Sequence, residues 1–235
     1  MEFNRLLEFC RTATSTTLGN DIRLHLQKGL LQVPRTFEPY ELSLERLDEP
    51  TWGLVKQKLL QRTIKHPVRG WAQFFETLAE VRGYCYLLDL RYKDVHFISE
   101  KNNLRTPDIE GIQPNSYRCL LESKCIGFSD DERRYILENT RRIESRQVLV
   151  ARDVIQGMPQ GLKDKIEDTI SSAKAQLFSY IPSNEPAQRI IFLTLNLDIH
   201  MYLNMNNYIE IVNFVRAITK NESTIEIVTD NLSSI

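Results

Sequence analysis

Pro107-Asp108 and, further along, Glu122-Ser123-Lys124 are the residues whose types and spacing could do chemistry. They share one stretch, Asn103 to Gly127, that reads as two extended segments joined by a turn. Side chains two apart on a strand share a face. Glu122 and Lys124 are therefore expected side by side with Ser123 opposite, and Asp108 reaches the same spot if the two strands pair. Two carboxylates and an ammonium on neighbouring strands suit metal-assisted cleavage of a phosphodiester. Magnesium takes hard oxygen ligands and is typically held by one or two carboxylates together with waters and substrate phosphate. It polarises the phosphoryl group and lowers the pKa of a bound water. A lysine beside it can orient that water or balance transition-state charge. On this reading Asp108 and Glu122 hold Mg2+ or Mn2+, the Ser123 backbone carbonyl is a further ligand, and Lys124 serves the nucleophile.

A plainer reading makes Glu122 and Lys124 an ordinary ion pair on an edge strand, a common and weakly stabilising arrangement. The apolar residues on both sides, Cys119, Leu120, Leu121, Cys125 and Ile126, argue against an exposed edge. A buried Glu and Lys with no function would carry a desolvation cost.

The elements that must position these residues are legible in the patterning. Trp71, Phe74, Phe75, Leu78, Val81, Cys85 and Leu88 follow the spacing of an amphipathic helix. Val95–Ile98 reads as a short strand, and Thr106–Ile112 and Tyr117–Ile126 as the next two. Gly111, Pro114 and Asn115 favour a turn between them. Leu162, Ile166, Ile170, Ala173 and Leu177 mark another helix ending before Pro182. Arg189–Asn196 is a continuous β-branched and aromatic run suited to a buried central strand. A last amphipathic helix through Met205, Tyr208, Ile211, Val212, Val215 and Ile218 precedes an edge strand at Thr224–Val228. Between the third strand and the next helix, Phe128–Gly161 reads as an insertion. Within it, Ser129–Glu132 is a capping box and Arg146–Arg152 an extra strand.

The Pro-Asp and Glu-x-Lys pattern, in this order of elements, resembles the PD-(D/E)XK nuclease superfamily. Its restriction-endonuclease-like core runs helix, three strands, helix, strand, with the motif on the second and third strands. The resemblance implies an α/β fold with a mixed central sheet flanked by helices. It further implies a metal-dependent nuclease that uses Asp108, Glu122 and Lys124 with Mg2+ or Mn2+, on a nucleic acid, with DNA expected. In these nucleases the first core helix often adds a glutamate to the metal site, and Glu80 occupies that position, with Glu76 one turn earlier. Ala79, Gly83 and Leu87 give Glu80 a small and apolar flank; the alternative is a pair of solvated helix charges. Gln176 and Tyr180 resemble the Q-x-x-x-Y motif of the helicase-linked branch, and their spacing puts both on one helix face. Either they serve the site or Tyr180 plugs the helix end into the core.

Charge neither demands nor excludes a nucleic-acid partner. The net value of −1 over 235 residues gives no global basic footprint. Locally, Pro50 to Phe75 contains no acidic residue, while Lys56, Lys58, Arg62, Lys65 and Arg69 supply five positive charges leading into the Glu80 helix. These are the candidate phosphate contacts. A second cluster, from Arg133 to Arg152, is diluted by Glu132, Glu138 and Glu144 and reads as a solvated helix face. Four cysteines without C-x-x-C spacing, and four scattered histidines, form no zinc pattern. With no apolar run of membrane-spanning length and no secretion signal, the chain reads as cytoplasmic with no membrane partner. Residues 1–65 are expected to form a mostly helical N-terminal extension, broken at Pro34, Pro39 and Pro50, before a nuclease domain at 66–235. Cutting both strands of a duplex would call for two sites, hence a homodimer. The competing class is a non-catalytic member of the same fold that binds nucleic acid or a protein partner.

Overall fold

The structure, a computed structural model, describes residues 3–13, 23, 33–64, 67–99, 105–127, 158–181, 186–195, 205–220 and 224–230. Among the described residues, four helices come first: α1 (Asn4–Thr12), α2 (Val33–Glu45), α3 (Glu49–Ile64) and α4 (Pro67–Asp89). Strands β1 (Lys93–Phe97), β2 (Ile109–Ile112) and β3 (Arg118–Ile126) follow. The chain continues through α5 (Gln160–Tyr180), β4 (Ala187–Leu195), α6 (Met205–Thr219) and β5 (Glu226–Asp230). The five strands lie in the order β1-β2-β3-β4-β5. The β1/β2 and β2/β3 pairs are antiparallel, whereas β3/β4 and β4/β5 are parallel. The result is an α/β fold with a mixed, open, five-stranded sheet flanked by helices.

Strand β4, interior to the sheet between β3 and β5, behaves as its composition requires. Seven consecutive residues of β4, from Arg189 to Leu195, are buried, as expected for a parallel strand covered on both faces. Leu120 and Ile126 of β3 pack with Leu162, Ile166, Ile170, Ala173 and Leu177 of α5 and with Ile211 and Val215 of α6. On the opposite face, Leu121 and Cys119 of β3, Ile109 of β2 and Phe192 of β4 pack with Leu87 of α4.

Helix α4 is buried on two sides. Its strongest apolar stripe, Phe74, Leu78, Val81 and Cys85, faces away from the sheet into a core built with Leu6, Phe9, Phe37, Tyr40, Trp52 and Leu59 of α1–α3. The side toward the sheet carries Gly83. A Cβ there would stand 2.8 Å from Leu121 Cδ2 and 3.3 Å from Ile109 Cδ1. The absent side chain therefore lets the helix lie close against β2 and β3, three residues from Glu80.

Several boundaries differ from the sequence expectation. Helix α2 runs through Pro39, although an interior proline removes a hydrogen bond and clashes with the preceding turn. Burial of Phe37, Tyr40 and Leu44 outweighs this, and the Pro39 carbonyl gains the Ser43 hydroxyl (3.0 Å) and Arg82 Nη1 (3.2 Å) as donors. Pro34 and Pro50 lie at the second positions of α2 and α3, where a missing N–H costs no helical bond. Asp48 caps α3 by accepting the Thr51 N–H at 2.8 Å. Buried Glu41 serves α1 in the same sense across the fold, accepting the backbone N–H of Arg5 (2.6 Å) and Leu6 (3.0 Å). Strand β2 starts at Ile109, not Thr106, since Pro107 has no N–H to give a ladder. Gly111 lies inside β2, close to Val95. The reversal falls at Gln113–Tyr117, with Ser116 in the left-handed region at φ 70°. The expected capping box at Ser129–Glu132, the extra strand at Arg146–Arg152 and the second arginine cluster lie outside the described residues.

Replacing Gly83 by valine should lower stability by about 2 kcal/mol or more, since the added methyls must displace buried Leu121 and Ile109. Urea unfolding measures it; a change below about 0.5 kcal/mol would refute the close approach.

Candidate active site

Pairing of β2 with β3 stops at Asp108 and Glu122, while β3 stays paired with β4 through Lys124. The β2–β3 ladder runs from Ile112↔Arg118 to Ile109↔Leu121, and the Asp108 N–H still reaches the Leu121 carbonyl at 3.2 Å. The next inward N–H, that of Ser123, is taken by the Asp108 carboxylate (Oδ2, 2.8 Å). A side chain thus takes over the partner role of a strand, and Asp108 is locked between the backbones of Glu122 and Lys124.

Alternation along β3 puts Glu122 and Lys124 on one face, as the sequence predicts. They form an ion pair between Lys124 Nζ and Glu122 Oε1. Glu122 is fully buried, and neither carboxylate oxygen receives a directed hydrogen bond. The Ser123 hydroxyl is buried without a partner as well.

Glu80 arrives from α4 and is buried, though its spacing off the apolar stripe allowed a solvated charge. Two cations of α3 hold it: Lys58 Nζ lies 2.5 Å from Oε2 and Arg62 Nη1 3.1 Å from Oε1. Arg62 also donates to the Thr77 hydroxyl at 3.2 Å. The Gln176 side-chain amide donates to the Thr106 carbonyl at 2.5 Å, tying α5 to the segment that leads into Asp108.

The electrostatics show that these groups act on one another. Burial, then Glu80 and Glu122, hold the Asp108 carboxyl well above the ordinary range, against Lys124 and Lys58. Burial pushes Glu122 up to about 7, with Glu80 adding and Lys124 and Lys58 opposing. Burial alone would lower the Lys124 ammonium, but Glu122 and Asp108 outweigh it and its pKa ends raised. A site with carboxyls poised above their usual range beside a firmly charged lysine is a common signature of function.

The remaining predicted residues separate. Tyr180 lies under the Arg118 guanidinium, 5.6 Å from its carbon to the ring centroid, at the start of β3. Arg118 in turn binds Glu110 through two hydrogen bonds of 2.5 and 3.0 Å. Lys56 pairs with Glu8 at 2.7 Å, beside the Trp52 indole that donates to the same carboxylate. It belongs to the packing of α1 on α3, apart from Glu80. Lys65 and the Arg69 side chain lie outside the described residues. Sequence reasoning missed the role of Lys58 and Arg62 as partners of Glu80. The signal was present: two cations four apart on one helix, two glutamates four apart on the next. The Thr106 carbonyl carried no signal, since any residue offers one.

Among the described residues, no three of the His, Cys, Asp and Glu side chains form a group that could hold a metal ion by themselves. Magnesium seldom uses such a cage and relies on one or two carboxylates completed by water and phosphate. The donor chemistry here fits that habit: the buried Glu122 oxygens without directed donors, and Asp108 with one oxygen engaged. Comparison with protein-family models, curated proteins and solved structures yields no match. No described helix is long and apolar enough to cross a membrane.

The raised Glu122 pKa has a definite sign. A carboxyl lifted in the folded state adds stability below its unfolded value of 4.5, and that stability is lost as pH rises through about 7. The rise is worth roughly 3 kcal/mol. Metal-free protein should therefore lose stability between about pH 5 and 8, and Glu122→Gln should flatten that slope. Urea unfolding in chelator reads both; parallel wild-type and variant curves would contradict the burial of this charge.

Proposed function

We propose that this protein is a metal-dependent nuclease with a restriction-endonuclease-like core, hydrolysing phosphodiester bonds of DNA. The observation that carries the reading is the meeting of Asp108 with the Ser123 N–H, between the paired Glu122 and Lys124. The order helix, three strands, helix, strand from α4 to β4 supports it. So does Glu80, which shares an electrostatic field with both carboxyls of the motif.

In this reading Asp108 and Glu122, with Glu80 as an auxiliary ligand and the Ser123 carbonyl as a further donor, hold Mg2+ or Mn2+. When bound, the ion supplies Lewis-acid polarisation of the phosphoryl group and a lowered water pKa. Lys124 orients the attacking water and offsets the negative charge that grows on the phosphoryl oxygens. Asp108 needs no reorganisation to act, because the Ser123 N–H already fixes its carboxylate. Gln176 acts at a distance, steadying Thr106 and so the approach to Asp108. Lys58 and Arg62, which contact Glu80, are placed to meet a phosphate. A homodimer follows if the substrate is duplex DNA cut on both strands.

One observation favours the non-catalytic alternative, a nucleic-acid or protein binder of the same fold. Glu122 is balanced by Lys124 and Glu80 by Lys58 and Arg62, so much of the charge is compensated by the protein itself. Folds host many functions, and the site has to decide.

Plasmid and single-stranded DNA incubated with Mg2+ or Mn2+ should be cut by the wild type. Asp108→Ala should reduce cutting to background, and Lys124→Ala should slow it about a hundredfold or more. No cutting by any form, with folding intact and no heat of metal binding, would remove the catalytic reading and leave the binder.

A further inference from the structure

Glu80 has two incompatible uses. As an auxiliary ligand it must turn its oxygens to a cation, yet both are engaged, Oε2 by Lys58 at 2.5 Å and Oε1 by Arg62 at 3.1 Å. The carboxylate is 6% exposed, so it cannot fall back on water when a partner leaves. Breaking such a buried pair leaves an uncompensated charge that costs several kcal/mol. The two cations differ: their side chains are 29% and 26% exposed, on a helix whose surface faces solvent at Gln57 and Gln61. An external anion can reach them, and to draw them off it must replace Glu80 and, for Arg62, the Thr77 hydroxyl as well. Glu80 then needs a new cation, and a divalent ion satisfies it.

Resting on the nuclease reading, we propose that Lys58 and Arg62 form an anion-released latch on Glu80. In the substrate-free protein they neutralise it. When a phosphate of the nucleic-acid strand draws them away, Glu80 becomes available to the metal. Strand and metal therefore bind cooperatively, and the site assembles fully only where the two meet. The exchange is purely of ionic partners: phosphate takes the ammonium and guanidinium, the divalent ion takes the carboxylate, and no charge is left bare. Linkage makes the effect reciprocal, so metal must raise affinity for the strand by the same factor.

The test is calorimetric titration of the full chain with Mn2+, alone and with saturating cleavage-resistant phosphorothioate DNA. Wild type should bind Mn2+ about tenfold or more tightly with DNA present, within the usual range of coupling. Lys58→Gln keeps Arg62 on Glu80, so it spares the fold. It should bind Mn2+ more tightly than wild type without DNA and show a coupling reduced to about threefold or less. Glu80→Gln should lower the coupling similarly, and the double variant should fall no further, the mark of residues acting through each other. Unchanged coupling in Lys58→Gln, or additive losses in the double variant, would overturn the latch. Asp108→Asn separates the two ideas: if it abolishes Mn2+ binding while Lys58→Gln leaves the coupling intact, the metal site stands and the latch is wrong. Absence of Mn2+ heat in the wild type would overturn both.

Discussion

The hydrogen bond from the Ser123 backbone to the Asp108 carboxylate is where the sheet turns into a site. Up to that point β2 and β3 satisfy each other's backbone groups. Beyond it, the N–H of a buried strand would be left unpaired, at a cost of about 1–3 kcal/mol. The carboxylate removes that penalty, but only by being drawn among Glu122, Lys124 and Glu80. One bond thus completes the ladder and gathers charge. It also explains why Pro107 sits where it does: a residue without an N–H keeps the chain ahead of Asp108 out of the ladder, so that β2 begins only at Ile109 and the Asp108 side chain is left to serve β3.

Gathering three carboxylates in one place is unfavourable, and the fold spends much of its design compensating for it. Lys124 comes from the same strand as Glu122, whereas Lys58 and Arg62 come from α3, outside the sheet layer altogether. The N-terminal helices are therefore part of the site electrostatically. Their core with α4 holds α3 where its cations can meet Glu80. The close contact at Gly83 sets how near Glu80 comes to the motif. Packing and charge are solved by the same helix pair.

How much of this was legible beforehand depended on the range of the interaction. Period-two and period-3.6 patterns are local, so the α4-to-β4 order and the shared face of Glu122 and Lys124 were readable directly. The strongest apolar stripe of α4 was readable too, but its partner was not: it faces α1–α3, while the sheet meets the plainer side at Gly83 and Leu87. A stripe says that something will be buried, not against what. The helix through Pro39 was hidden for a related reason, since local propensity yielded to burial of its neighbours. The partners of Glu80 and of Gln176 depended on tertiary packing, which no single-segment pattern encodes.

Arg82 stands two residues after Glu80 and grips Asp230 of β5 with two hydrogen bonds of 2.6 and 2.5 Å, across 148 positions of chain. Contacts of such separation form late, because the intervening loop must first be closed. The helical core of α1–α4 lies by contrast wholly within residues 3–89 and can condense once these have been made. During synthesis the N-terminal helices can therefore fold first, while α4 receives its last anchor only when β5 joins the sheet. By sequence separation, the Arg82–Asp230 anchor beside the charged cluster is expected among the last contacts to form.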